Sequence, residues 1–474
     1  MYKKSISNTV LLLLIFCITH IASAEIKLPA FFSSEMVLQQ QTDAAIWGTA
    51  TPSKTVEITT SWNGKTYTTK ADKNGKWKQK VKTPSAGGPY DITISDGTPL
   101  TLSNILIGEV WICSGQSNMV MPLKGFSKQP VLGSNKTIAT SSNNNIRLFK
   151  VLQKASLERL DNVRGKWLVS KPENAANFSA TAYHFGKMLQ DVLQVPVGLI
   201  VTAWGGTRIE PWISESGLKT FDWVPDPAVD AKGKVTHRIP TTLFNGMINP
   251  LVGFTMKGVL WYQGESNASE PKKYEALMPG LIKNWREEWA IGDFPFYYVQ
   301  IAPHDYSSKP GVNSALLREA QLKASTKTVN TGMVSLMDVG EKDIIHPAHK
   351  QLGGERLAYL ALAKSYNMKG IEYSGPVLKD MIIEGPVVQL KFDHAKTGLN
   401  TFGKDFTNFK IAGKDKRFYP AQVSINWKGL VLFSAYVPNP VAVRYAFEDF
   451  TVGELFNTAG LPASSFRTDD WEVK

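Results

Sequence analysis

The chain has 474 residues, with 53 Lys and Arg against 41 Asp and Glu, for a formal charge of +12. That length exceeds what one hydrophobic core ordinarily fills, so two or three domains are expected. A 43% hydrophobic and 20% charged composition excludes a disordered chain. The positive charge favours acidic glycans as ligands. It is scattered, as in Lys78, Lys80 and Lys82 on an expected solvated strand face, and forms no basic stripe interleaved with aromatics, which argues against nucleic acid.

The N-terminus reads as a signal peptide over residues 1–24. Lys3 and Lys4 precede an apolar run from Val10 to Cys17, and Ala22-Ser23-Ala24 fits a cleavage site. The run is short for a membrane span, and no later stretch is long enough either. Phe16 before Cys17 is too bulky for a lipoprotein signal. The expected product is exported, periplasmic or extracellular, with no membrane attachment after cleavage. Only Cys113 then remains, so no internal disulfide can form. It is expected as a buried small hydrophobe at a strand end rather than as a nucleophile.

Residues 25–103 alternate in short runs such as Thr55-Val56-Glu57-Ile58-Thr59, separated by Asn63-Gly64, Asn74-Gly75 and Gly87-Gly88. This spacing predicts a small β-sandwich. The pattern then changes. An apolar run from Ile105 to Cys113 predicts a buried strand, and Phe178 to Leu193 a helix stopped by Pro196. Strands are predicted at Val197–Val201, Gly258–Trp261, Phe296–Ile301 and Met333–Met337. Helices are predicted at Tyr274–Trp289, Ala315–Ser325 and His349–Ala363. Such alternation over 104–366 implies a parallel sheet with helices on both faces. Residues 367–474 return to short strands and predict a C-terminal β-rich module.

In such a sheet, functional residues collect in loops beyond the carboxyl ends of strands. Ser114-Gly115-Gln116-Ser117-Asn118-Met119 follows the first strand, and Ser117 is the candidate nucleophile. Gln116 and Asn118 beside it are read as substrate-binding or site-ordering. The motif lacks the second glycine of the α/β-hydrolase elbow; by itself it also suits an ordinary helix cap. Gly205-Gly206-Thr207 can bring free backbone N–H groups close to a ligand. In Tyr262-Gln263-Gly264-Glu265, the Gln263 amide is a candidate donor to a developing oxyanion. Glu265 either orders these loops or pairs with Glu210 as a catalytic carboxylate, although a glycosidase pair would leave the serine loop without a purpose.

Asp343-Ile344-Ile345-His346-Pro347 supplies a candidate base, His346, with an acid three residues earlier that can accept from the imidazole. Asp338 is the alternative acid and His349 the competing base; His349 is read as a helix-start surface residue. A zinc site of His346, His349 and Asp343 lacks a fourth partner. His304 is placed at the same end of the sheet, as a pocket-lining or ordinary loop residue.

Together GEVWICSGQSNM, AWGGTRIEPW, WYQGESNA and DIIH resemble the SGNH-hydrolase superfamily, and more closely the sialate O-acetylesterase family of carbohydrate esterases. The outer segments MVLQ…WG and VRYAF…LFNTAGLPASSFRT resemble it too. The resemblance implies a flavodoxin-like, three-layer α/β/α catalytic domain flanked by β-rich, sandwich-like modules. It implies a triad of Ser117, His346 and Asp343. It also implies an oxyanion hole from Ser117 N–H, one glycine N–H of Gly205 or Gly206, and Gln263. Gln263 stands where the superfamily usually has Asn, as in acetylxylan-type esterases. The implied reaction is removal of O-acetyl groups from a glycan, most closely 9-O-acetyl sialate, through an acetyl-enzyme, with no metal or organic cofactor. A plant-glycan acetylesterase and a non-catalytic carbohydrate-binding protein are the rivals.

Overall fold

A computed structural model describes residues 25–306 and 311–472; the expected leader lies outside them. The central element is one long strand, Pro99–Gly115, of 17 residues. Its first half pairs antiparallel with Gly87–Ser95 in the N-terminal sheet. Its second half is fully buried, as its mostly apolar run predicts, with Glu109 held inside it by Gln39, Gln40 and Tyr366, and becomes the middle of a parallel sheet. The expected domain boundary at 103/104 therefore falls inside a continuous strand.

Around Pro99–Gly115 the parallel sheet runs outward on one side through Gly258–Tyr262, Phe296–Val299 and Thr331–Val334. On the other side lie Val197–Ala203, Asn143–Lys150 and, antiparallel at the edge, Trp167–Ser170. The last two strands were not anticipated from the sequence. Asn143-Asn144-Asn145 opens the first with turn-forming residues, and only Ile146, Leu148 and Phe149 are apolar, with a buried Arg147 among them.

Alternate residues of the central strand divide between two cores. Val110 and Ile112 pack with Leu277, Leu281 and Trp285 of the helix Pro271–Trp289. Trp111 and Cys113 pack with Phe185 and Leu189 of the helix Ala180–Leu193 and with Leu357 and Ala361 of the helix Lys350–Ser365. Period-2 alternation thus buries both faces. The helix Ala180–Leu193 begins on a Ser179 cap, whose hydroxyl accepts from Ala182 N–H.

After the last helix, two four-stranded antiparallel sheets share a third core of Val388, Leu390, Leu430 and Leu432 against Phe409, Ile411, Val443 and Tyr445. This module is latched to the central unit by the fully buried Arg318. Its guanidinium reaches Ser465 Oγ and the Glu448 carbonyl. No helix among the described residues is long and apolar enough to cross a membrane.

Candidate active site

Strand register brings the loops together. Gly115 pairs with Ala203 on one side and with Tyr262 on the other, so three strands end level. Gly115 has φ 134°, and a Cβ there would meet the Tyr262 carbonyl oxygen at 2.1 Å; only glycine lets the chain leave the sheet here. Ser117 follows at the start of a single helical turn, Ser117–Val120, where its N–H has no partner within the turn.

The Ser117 Oγ lies 2.7 Å from His346 Nε2. His346 is half-buried, and Phe126 packs edge-on against its ring with centroids 5.4 Å apart. Its pKa is pushed down to about 4, first by burial and then by the positive charges of Lys350 and His304. The ring is therefore neutral at physiological pH.

The other ring nitrogen, Nδ1, is 2.5 Å from Gln129 Oε1. This differs from the expectation for Asp343, which is exposed and makes no hydrogen bond to the ring. The loop is organised around Glu341 instead. Its carboxylate accepts from Ala348 N–H at 2.7 Å and its carbonyl lies 3.2 Å from His304 Nδ1, leaving Asp343 on the outer side. Gln129 reaches inward from a tight turn, in which Phe126 and Gln129 exchange backbone hydrogen bonds and Lys128 has φ 61°, in the left-handed region. The alternative acid, Asp338, is held by both nitrogens of Arg356 at 2.8 and 2.6 Å.

Gly205 lies against Ser117: a Cβ on it would meet Ser117 Cβ at 3.3 Å. Gly206 is exposed with no atom so near, so Gly205 is the glycine positioned beside the serine. Gln263 is placed otherwise than expected. Fully buried, it donates from Nε2 to the Thr207 carbonyl at 3.1 Å and to Asn267 Oδ1 at 2.8 Å, while Oε1 accepts from Tyr274. Both amide hydrogens are engaged, so its observed role is to tie the glycine loop to the Glu265 loop.

The remaining candidates order the site. Gln116 Oε1 faces Gly264 and Ser266 N–H. Glu210 accepts from Asn267 and Arg208 and makes no paired-carboxylate arrangement with Glu265. The Glu265 carboxyl is buried, accepts from Asn118 at 2.5 Å and is pushed upward by that burial. His349 precedes the helix Lys350–Ser365 without a side-chain capping bond and is exposed. Burial pushes the Cys113 thiol up, which disfavours the thiolate a nucleophile needs. Trp204, directly before Gly205, stacks on His237 with centroids 4.8 Å apart, so an aromatic pair stands next to the glycine loop.

Gln129, Phe126, His237 and Lys350 were not found by sequence reasoning. Only Lys350 carries a signal, as a cation in the first turn of a helix, where the macrodipole opposes it.

The fold and these loops define a carboxylic-ester hydrolase of the carbohydrate-esterase class. The family described as "carbohydrate esterase, sialic acid-specific acetylesterase" matches residues 107–363. The rat sialate O-acetylesterase is 30% identical over 537 residues, covering 96% of each chain. The human sialate O-acetylesterase is 32% identical over 389 residues, covering 74% of this chain and 73% of that protein. The crystal structure of a carbohydrate acetylesterase from Xanthomonas citri superposes with a TM-score of 0.86 at 34% identity, covering 94% of this chain and all of that one. The chain belongs to the sialic acid-specific acetylesterase family of carbohydrate esterases.

Proposed function

We propose that this esterase of O-acetylated carbohydrates works as a serine hydrolase through Ser117 and His346, with 9-O-acetylated sialate as its preferred substrate. The separation of 2.7 Å between Ser117 Oγ and His346 Nε2 carries the reading. His346 removes the hydroxyl proton as Oγ attacks the acetyl carbonyl. The N–H groups of Ser117 and Gly205 are the proposed donors to the oxyanion of the tetrahedral intermediate. The intermediate collapses by breaking the bond to the sugar oxygen, which leaves with the proton from His346. Water, deprotonated by the same ring, then attacks the acetyl-enzyme and releases acetate. The Gln129 carbonyl oxygen fixes the tautomer by accepting from Nδ1–H, the part expected of Asp343.

The catalytic unit is proposed as a three-layer, flavodoxin-like SGNH domain over 104–366, flanked by β modules at 25–103 and 367–474. Export under the leader of residues 1–24 would deliver the enzyme to extracellular or periplasmic glycans. Acetate release across 9-O-acetyl sialate, acetylated xylan oligomers and acetylated pectin tests the substrate. Fastest turnover of sialate supports the reading, and preference for xylan or pectin replaces it with the plant-glycan one. Absence of turnover on all three, with correctly folded protein, overturns the enzyme reading.

A further inference from the structure

The two carbonyls flanking His346 are both held by side chains. The Asn118 amide donates to the Ile345 carbonyl at 3.1 Å as well as to Glu265. Lys350 Nζ donates to the Pro347 carbonyl at 2.8 Å and to Asn118 Oδ1 at 2.6 Å. One ammonium therefore joins the residue after the nucleophile to the residue after the base.

That ammonium sits at a position that disfavours it. Lys350 is 3% exposed, and an ionised group there loses its hydration. It also opens a helix, where the macrodipole is positive. Burial pushes its pKa down to about 7, opposed by Glu265 and Glu341. The Tyr262 ring faces it with its centroid at 5.9 Å. A buried residue carrying these two costs, and bonded on both sides of the catalytic base, has a use beyond packing.

We propose that Lys350 is a positioning residue of the esterase: through the Pro347 carbonyl and Asn118 it sets the His346 ring against Ser117, and its charge keeps that ring in the base form. The proposal rests on the Ser117–His346 reading. The charged and titratable groups around the pair are Glu265 from the third loop, Glu341 and His304 beside the histidine loop, and Tyr262 at the strand end. At the acid pH where His346 takes up its proton, Lys350 is cationic. Removing its charge makes the imidazolium less unfavourable and moves the ring's titration to higher pH.

The test is the pH profile of kcat/KM on p-nitrophenyl acetate for the wild type, Lys350→Met, Lys350→Arg and Ser117→Ala. For Lys350→Met, kcat should fall roughly 100-fold with KM little changed, as for a small misplacement of reacting groups. The midpoint of its acid limb should rise by about one pH unit. Lys350→Arg, which keeps the cation, should lose kcat while its midpoint stays near that of the wild type. An unmoved midpoint in Lys350→Met overturns the proposal, as does an equal rise in both variants, which would indicate mere structural disturbance. If Lys350→Met does not fold, Lys350→Gln is used: it is neutral but retains amide donors, and the same rise is expected. Retained activity in Ser117→Ala would instead refute the underlying serine reading, so the two failures are told apart.

Discussion

Ser117 and His346 stand 229 residues apart in the chain, and their Oγ and Nε2 atoms stand 2.7 Å apart. The hydroxyl has no other hydrogen-bond partner among the described residues. Ser117→Ala should therefore lower acetate release at least about 10⁴-fold, as loss of a nucleophile does elsewhere. Its thermal unfolding midpoint should match the wild type, since only the bond to the ring is lost. Substantial residual turnover would exclude Ser117 as the nucleophile.

The acid limb of the reaction follows from the environment of His346. The proposed mechanism needs the neutral ring, and its pKa is pushed down to about 4. Activity should accordingly rise with pH through about 4 and level off by about pH 6, where an unperturbed histidine, titrating at about 6.5, would still be mostly protonated. The kcat/KM profile on a neutral aryl acetate measures this directly.

The same direction of shift bears on stability. His184 is buried with Nε2 unpartnered, and its pKa is pushed down to about 4 by burial and then by Lys187. Between that value and the unfolded value of about 6.5, the unfolded chain binds more protons than the folded one. Stability contributed by neutral His184 is thus present above pH 6.5 and lost as pH falls toward 4, on the order of 3 kcal/mol over the window. Urea midpoints measured from pH 7 to pH 4.5 should decline, and His184→Gln should flatten part of that slope.

How much of this was legible in the sequence differs by feature. The strand and helix succession from Pro99 to Ser365 was readable because each element carries its own periodicity, as in Ala182, Phe185 and Leu189. Asn143–Lys150 was not, because it holds only three apolar residues, Ile146, Leu148 and Phe149, interrupted by Arg147. Ser117 and His346 were legible through motif context. Gln129 was not: its place at the imidazole depends on the turn formed by Phe126 to Gln129 and on how that turn folds over the site, which no local pattern encodes. Gln263 was recognised as important, but whether its N–H₂ faces substrate or Thr207 and Asn267 is a matter of tertiary packing.

That orientation gives Gln263 a measurable stability role. Replacing it by Ala would strip the buried Thr207 carbonyl of its amide donor and remove one of two donors to Asn267 Oδ1, which keeps Ile209 N–H, while the Tyr274 hydroxyl keeps the backbone carbonyl of residue 263. Each unpaired buried group costs about 1–3 kcal/mol. Gln263→Ala should destabilise the protein by about 1–3 kcal/mol in urea unfolding. A variant of unchanged stability that loses only kcat would instead assign the amide to the oxyanion.

The partner of His346 Nδ1 can be decided by comparing two variants. With Gln129 Oε1 at 2.5 Å, the ring's Nδ1–H is oriented by a neutral amide, and no carboxylate is hydrogen-bonded to the imidazolium that forms during turnover. Gln129→Ala removes that acceptor and lets the ring reorient, which should lower kcat on the order of 10²-fold. Asp343→Asn changes an exposed side chain with no bond to the ring and should leave kcat within about threefold, in the range of surface substitutions. Where an acid does hold a catalytic histidine, the same Asp-to-Asn change costs about 10⁴-fold. The two outcomes lie far enough apart that steady-state kinetics on a single acetate ester separates them. A loss of that size in Asp343→Asn, with Gln129→Ala near wild type, would mean that the histidine loop closes around Asp343 during the reaction.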